Sequence, residues 1–168
     1  MATKKPVWVL FGILVISAWV LGSAIQAGAE TLNYKNYSYA IKTESVPIED
    51  VEGHSLNFST RRGFSVFENG EVATYSSVLS GDTIKGSGPY IQYVTMTFSD
   101  GSTIIMKVQV TATAAAPGAP VVATTKRTSE IIKGTGRFEG IKGTGTGTAK
   151  YLPVEGGKLD QKESVNIV

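Results

Sequence analysis

The side chains that could do chemistry are few and scattered. His54 is the one histidine of the chain, and a neutral imidazole can serve as a general base. It shares a strand face with Leu56 and Phe58, which sets it inward or at the mouth of a barrel. The alternative is a hydrogen-bonded histidine at a strand end. Tyr93, between Ile91 and Thr95, can pack its ring on an apolar ligand while its hydroxyl orients a carbonyl or hydroxyl. A core tyrosine with a satisfied hydroxyl is the plainer reading. Tyr75 has a similar claim. Arg61 and Glu139 fall at predicted strand ends, where barrel mouths display polar groups, and an arginine there can bind a carboxylate. Ordinary surface charge competes with that role for both.

The same inventory excludes several chemistries. With no cysteine in the chain, there is no thiol nucleophile, thiolate ligand or redox pair. A single histidine without cysteine cannot make a zinc or haem site of usual composition, so neither a metal nor a cofactor is expected. Glu49, Asp50 and Glu52 lack the spacing of a calcium loop and read as a solvated turn. The glycine-rich run GTGRFEGIKGTGTGTAKYLP, residues 134–153, is not a phosphate cradle. Such a loop needs a helix N-terminus behind it, and here more Gly and Thr follow. The run reads as strand, turn and strand, its glycines serving either barrel curvature or close packing between subunits. Asn36-Tyr37-Ser38 and Asn57-Phe58-Ser59 match the glycosylation sequon but fall in predicted strands.

The first residues belong to a different category. Lys4 and Lys5 precede an apolar run from Val7 to Leu21, and Ala27-Gly28-Ala29 offers small residues for a peptidase. This is the pattern of a secretory signal peptide, residues 1–29. The alternative is an uncleaved anchor, the one route by which a membrane enters the reading. Lys4 and Lys5 also carry the whole formal excess of charge. Without them the chain has as many basic as acidic side chains, 14 of each. A neutral domain with interspersed charges is a poor partner for nucleic acid. Arg61-Arg62 and Lys126-Arg127 read as solvated charges at loops or strand ends. Export, to the periplasm or the outside, is the expected destination.

The remaining residues, 30–168, suffice for one domain with a proper core. They are rich in Tyr, Thr, Val, Ile, Ser and Gly, and no window keeps a helical period. Strands are predicted over 32–43, 54–60, 64–67 and 72–79, with breaks at Arg61-Arg62-Gly63 and Ser80-Gly81-Asp82. Asn69-Gly70 marks a hairpin. The clearest hairpin joins 90–98 to 103–111. A two-residue Asp100-Gly101 turn would set Phe98 opposite Thr103. Ile91, Tyr93, Thr95 and Thr97 then share an uncharged inward face with Ile104, Met106, Val108 and Val110. If the faces are reversed, Tyr90 and Gln92 take the place of the tyrosine candidates. A strand over 124–133, the glycine-rich return and a terminal strand over 164–168 complete about eight strands. The predicted fold is all-β: a single antiparallel eight-stranded closed barrel, calycin-like, in which closure removes the edges.

Three segments carry a family resemblance: the hairpin TMTFSDGSTIIMKVQVTA from Thr95, the glycine run from Gly134, and the lead-in Gly86-Ser87-Gly88-Pro89-Tyr90. Together they resemble the allene oxide cyclase-like barrels, a group that includes dirigent proteins and small exported bacterial proteins. The resemblance spans most of residues 30–168. It implies an eight-stranded barrel with an interior pocket and, from the plant members, homo-oligomers. It implies no catalytic residue, because the catalytic side chains differ among branches and none matches here residue by residue. The leading expectation is an exported barrel holding a small, mostly apolar molecule, with His54, Arg61, Tyr75, Tyr93, Thr95, Met106 and Glu139 as pocket candidates. Alternatives are a cofactor-free cyclase or isomerase that steers a reactive apolar intermediate, and a structural or surface interaction module.

Overall fold

The computed structural model describes residues 30–153 and 159–167, with the backbone alone for 159–164 and 166. The expected signal segment lies outside the described residues. The chain is all-β and antiparallel, as the composition predicts. Its strands are β1 (Glu30–Pro47), β2 (His54–Phe67), β3 (Val72–Ile84), β4 (Gly88–Thr97), β5 (Thr103–Ala114), β6 (Ala123–Thr135), β7 (Gly143–Tyr151) and β8 (Leu159–Ile167). One 3-10 turn, Gly136–Phe138, interrupts them. Each strand pairs with the next, and β8 pairs back with β1 from Glu30↔Ile167 to Ser38↔Leu159, so the ladder forms a closed barrel.

Two predicted breaks are absent. β2 runs unbroken through Arg61-Arg62-Gly63, which pair with Ala40, Tyr39 and Ser38 of β1. Gly63 is there for proximity, not for a turn. A Cβ at this position would overlap the Tyr37 carbonyl oxygen and crowd the Ser38 Cα. β3 likewise continues past Leu79 to Ile84, and the chain reverses at Lys85-Gly86.

The central hairpin departs from prediction by one residue. Phe98 N–H donates to the Ser102 carbonyl, and Gly101 N–H donates to the Phe98 carbonyl. Gly101 has φ +82°. The loop therefore has three residues, a turn closed by a glycine bulge. Thr97, not Phe98, stands opposite Thr103. A one-residue slip turns every side chain of a strand to the other face. Gln92, Val94, Met96 and Phe98 are buried, while Ile91 and Tyr93 are 46% and 45% exposed. The inward face predicted for β4 is thus its outward face. That predicted for β5 is correct, with Ile104, Met106, Val108 and Val110 all buried.

The β2–β3 hairpin repeats the device. Phe67 N–H donates to Glu71 and Gly70 N–H to Phe67. In both loops a side-chain oxygen, Asn69 Oδ1 or Asp100 Oδ1, accepts the backbone N–H two residues on, an Asx turn that holds the loop. Both place a phenylalanine at the same end of the barrel. The ring centroids of Phe67 and Phe98 are 5.3 Å apart.

Candidate binding site: the open end of the barrel

The interior is graded from one end to the other. At the end holding the two phenylalanine loops, Tyr34, Phe67, Phe98 and Phe138 form a chain of rings with centroids 5.2, 5.3 and 4.7 Å apart. The rings are tilted by 37–48° to one another, and aromatic pairs at this spacing attract. Arg137 lies over the last two, 4.8 Å from the Phe98 centroid and 4.7 Å from that of Phe138. Its guanidinium is held by Glu71 and, at 3.6 Å, by Asp100. Apolar packing and this cation close the end.

The middle is polar. Gln92 Nε2 donates to Tyr75 Oη at 2.7 Å and to Ser77 Oγ at 2.8 Å. Gln92 Oε1 accepts from Arg127 Nη2 at 2.5 Å. All four side chains are buried. On the β1–β2 side Ser65 Oγ donates to Asn36 Oδ1 at 3.2 Å. Asn36 Nδ2, Thr125 Oγ1 and Ser129 Oγ are buried without a hydrogen-bond partner among the described residues.

The opposite end is open. A cavity of about 560 Å³ is lined there by Arg61, Tyr90, Tyr151, Asn57, Ser59 and Leu79, with alanines from β5 and β6. A bulge in β1, where Ala40 pairs with Arg61 but Lys42 with Thr60, leaves Ile41 as the extra residue beside the cavity. Arg61 is 3% exposed. Its Nε and Nη2 donate to Ser38 Oγ at 3.3 Å and the Ser38 carbonyl at 3.2 Å, and its guanidinium lies 5.3 Å from the Tyr151 ring centroid. Burial lowers its pKa from the ordinary 12.5; Tyr151 and Tyr75 oppose this and Arg127 adds to it. An arginine so placed keeps its charge at neutral pH. Burial likewise pushes the Tyr90 phenol up, so it remains a neutral hydroxyl. The cavity thus offers apolar walls, neutral hydroxyls and a fixed cation.

The sequence-predicted candidates separate on this frame. Arg61 lines the cavity. Tyr75 and Met106 are buried in the interior at 1% and 2% exposure. Tyr93 and Thr95 do not line it, because the three-residue loop turns their face outward. Glu139 is exposed and follows the 3-10 turn at the plugged end, away from the open mouth. His54, Leu56 and Phe58 are on the outward face of β2, since Ser59, Arg61 and Ser65 take the inward phase.

His54 nevertheless has a defined role. Its Nδ1–H donates to Asp50 Oδ1 at 2.5 Å and its Nε2–H to Asp82 Oδ1 at 2.6 Å. Only the imidazolium can donate from both nitrogens. The hydrogen bond to Asp50, then that to Asp82, raises its pKa above 6.5. The ring ties the β1–β2 turn to the end of β3, beside the mouth, and is occupied on both sides as a clamp.

Arg127 is the interior residue that sequence reasoning missed, being read with Lys126 as solvated charge. Alternation along β6 carried the signal. Lys126, Thr128 and Glu130 share one face, Thr125, Arg127, Ser129 and Ile131 the other, and the second set is buried. Among the described residues, no group of three or more His, Cys, Asp or Glu is placed to hold a metal ion.

No protein-family model matches the chain, and no curated protein matches it significantly. Solved structures similar to the chain include two dirigent proteins. The pterocarpan synthase dirigent protein GePTS1 is 14% identical, with a TM-score of 0.47 over 83% of this chain and 88% of that one. The pterocarpan synthase dirigent protein PsPTS1 is 15% identical, with a TM-score of 0.45 over 82% of this chain and 94% of that one.

Proposed function

We propose that this chain is an exported, closed eight-stranded barrel that holds one small, mostly apolar molecule in the cavity at its open end. The observation that carries the reading is the asymmetry of the interior. One end is filled by packed, tilted rings, and the other keeps a cavity of about 560 Å³ with Arg61, Tyr90 and Tyr151 in its walls. That size and mix of walls are those of small-molecule sites, which combine apolar lining with a few placed polar groups. Native mass spectrometry of the protein purified from its own host, followed by denaturing release, tests it. A stoichiometric organic adduct is expected. A clean unliganded mass, with no thermal shift across a panel of apolar compounds, would remove the reading and favour a surface interaction module.

A second reading has a specific support. Tyr75, Gln92 and Arg127 form a fixed chain of hydrogen bonds beneath the cavity. A hydroxyl so held can orient a reactive intermediate, and holding one conformer is a large part of cyclisation. Together with the resemblance of the sequence, this supports a cofactor-free cyclase or isomerase. Turnover of the released compound class by the purified chain, lost in Tyr75→Phe, would favour it over a carrier.

Export is part of the proposal. It rests on the Lys4-Lys5 pair, the apolar run and Ala27-Gly28-Ala29. N-terminal sequencing of the host protein should begin at Glu30.

A further inference from the structure

We infer that a groove on the outside of the barrel binds an extended acidic polysaccharide, one that carries carboxylates along its length. The inference goes beyond the cavity reading and does not depend on it. A groove of about 840 Å³ runs across the outward faces of β6, β7, β1 and β2. Its floor is the backbone of one row of the ladder, in which Arg127 pairs with Gly147 and Tyr34 with Phe67. The side chains of Arg127, Tyr34 and Phe67 are buried on the other face. The two neighbouring rows make the walls. One wall holds Lys126, Thr148 and Lys35, and Lys162 of β8 pairs in register with both Thr148 and Lys35. The other holds Thr128, Thr146 and, at the β2 end, Glu68, whose Oε2 accepts from Asn33 Nδ2 at 3.0 Å. The wall lysines and threonines are exposed.

Charge, spacing and wall chemistry select the ligand. Lys42 and Lys85 each have a glutamate beside them. Among the described residues, no carboxylate pairs with Lys35 or Lys126. These two stand three strand spacings apart, about 14 Å along the sheet, which exceeds the screening length of about 8 Å at physiological salt. One small anion cannot serve both, whereas a polymer with repeated negative charge meets each in turn. The threonine hydroxyls can donate to and accept from sugar hydroxyls. Among the described lining residues the two aromatic rings, of Tyr34 and Phe67, are buried, so no exposed ring is there to stack a nucleic-acid base. Val66 is the one aliphatic side chain there, too little to enter a bilayer.

The test compares polygalacturonate with its methyl ester, which keeps the sugar and removes the charge. Binding to the full chain as purified is measured by biolayer interferometry at low salt. The acid should bind, should weaken as salt is raised, and should bind at least about fivefold more tightly than the ester, the scale of two exposed ion pairs. Lys35→Gln combined with Lys126→Gln should lose about that factor. Lys133→Gln combined with Lys142→Gln removes the same charge from exposed positions outside the groove and should change the affinity by about twofold at most. Thr146→Glu, which sets a negative charge in the opposite wall, should also weaken binding, and it decides the matter if the double groove variant does not fold. No binding of the acid, equal binding of acid and ester, or equal losses in the two double variants would overturn the inference. So would tighter binding of a single-stranded oligonucleotide or of phosphatidylglycerol vesicles, which would assign the lysines to another class of polyanion.

Discussion

Arg127 of β6 reaches past β5 to Gln92 of β4, Nη2 to Oε1, at 2.5 Å. This contact decides which way the Gln92 amide points. With its oxygen on the guanidinium, its nitrogen faces Tyr75 and Ser77 and donates to both. One side chain therefore bonds to a cation and two hydroxyls, all of them buried. Gln92→Leu should cost about 3 kcal/mol, because buried groups that lose a partner pay their desolvation in full. Gln92→Glu should be milder, since a carboxylate can accept from Arg127 and from both hydroxyls. Urea denaturation of the two variants checks the order. Equal losses would mean that volume, not hydrogen bonding, governs the layer.

The plugged end should depend on Phe98. Its ring is 4% exposed and touches both Phe67 and Phe138, and Arg137 rests on it. Phe98→Ala should destabilise by about 3–5 kcal/mol, the loss of a large buried ring plus the void it leaves. A loss below about 1 kcal/mol, the range of surface substitutions, would show that this end is not packed as described.

The outward face of β4 can be read chemically. Tyr93 is 45% exposed and Tyr39 53%, whereas Tyr75 is 1% exposed. Tetranitromethane on the folded chain should nitrate Tyr93 and Tyr39 and spare Tyr75 until the barrel unfolds. Peptide mapping locates the label. Early nitration of Tyr75 with protection of Tyr93 would restore the two-residue loop and its opposite register.

The His54 clamp predicts a pH dependence with a definite sign. Its folded pKa lies above the ordinary 6.5, first through Asp50 and then through Asp82. The stability it adds is fully present below the unfolded value and is lost as pH rises through the folded one. Asp50 is held below its ordinary 3.8, chiefly by the hydrogen bond to His54. Its share is lost as pH falls through that lowered value. The advantage of the chain over His54→Gln in denaturation midpoint should be greatest from about pH 5 to 6, between the ordinary carboxylate and imidazole values. It should shrink on the alkaline side. A difference unchanged into the alkaline range would rule out an imidazolium clamp.

Composition and the missing helical period pointed to an all-β chain, and a sequence without cysteine has no thiol chemistry, because these follow from residue types and their spacing. Local pattern determined most of the strands and both Phe-containing hairpins, since Asn69-Gly70 and Asp100-Gly101 act within a few residues of themselves. Tertiary structure decided the rest. Asp-Gly suits two-residue and three-residue loops alike, and only the bonds between Phe98 and Ser102 chose the longer one. That choice sent Tyr93 out and Gln92 in. The predicted break at Arg61-Arg62-Gly63 is a local signal overruled from outside, for Gly63 is required by the approach of Tyr37 and Ser38 from another strand. Arg61 and Arg127 look in sequence like solvated charges. They are interior because strands distant along the chain supply Ser38, Tyr151 and Gln92 to meet them. His54 meets Asp82 for the same reason, through the pairing of β2 with β3. A residue's type sets what it can bond to, but only the register of the closed ladder sets what it meets.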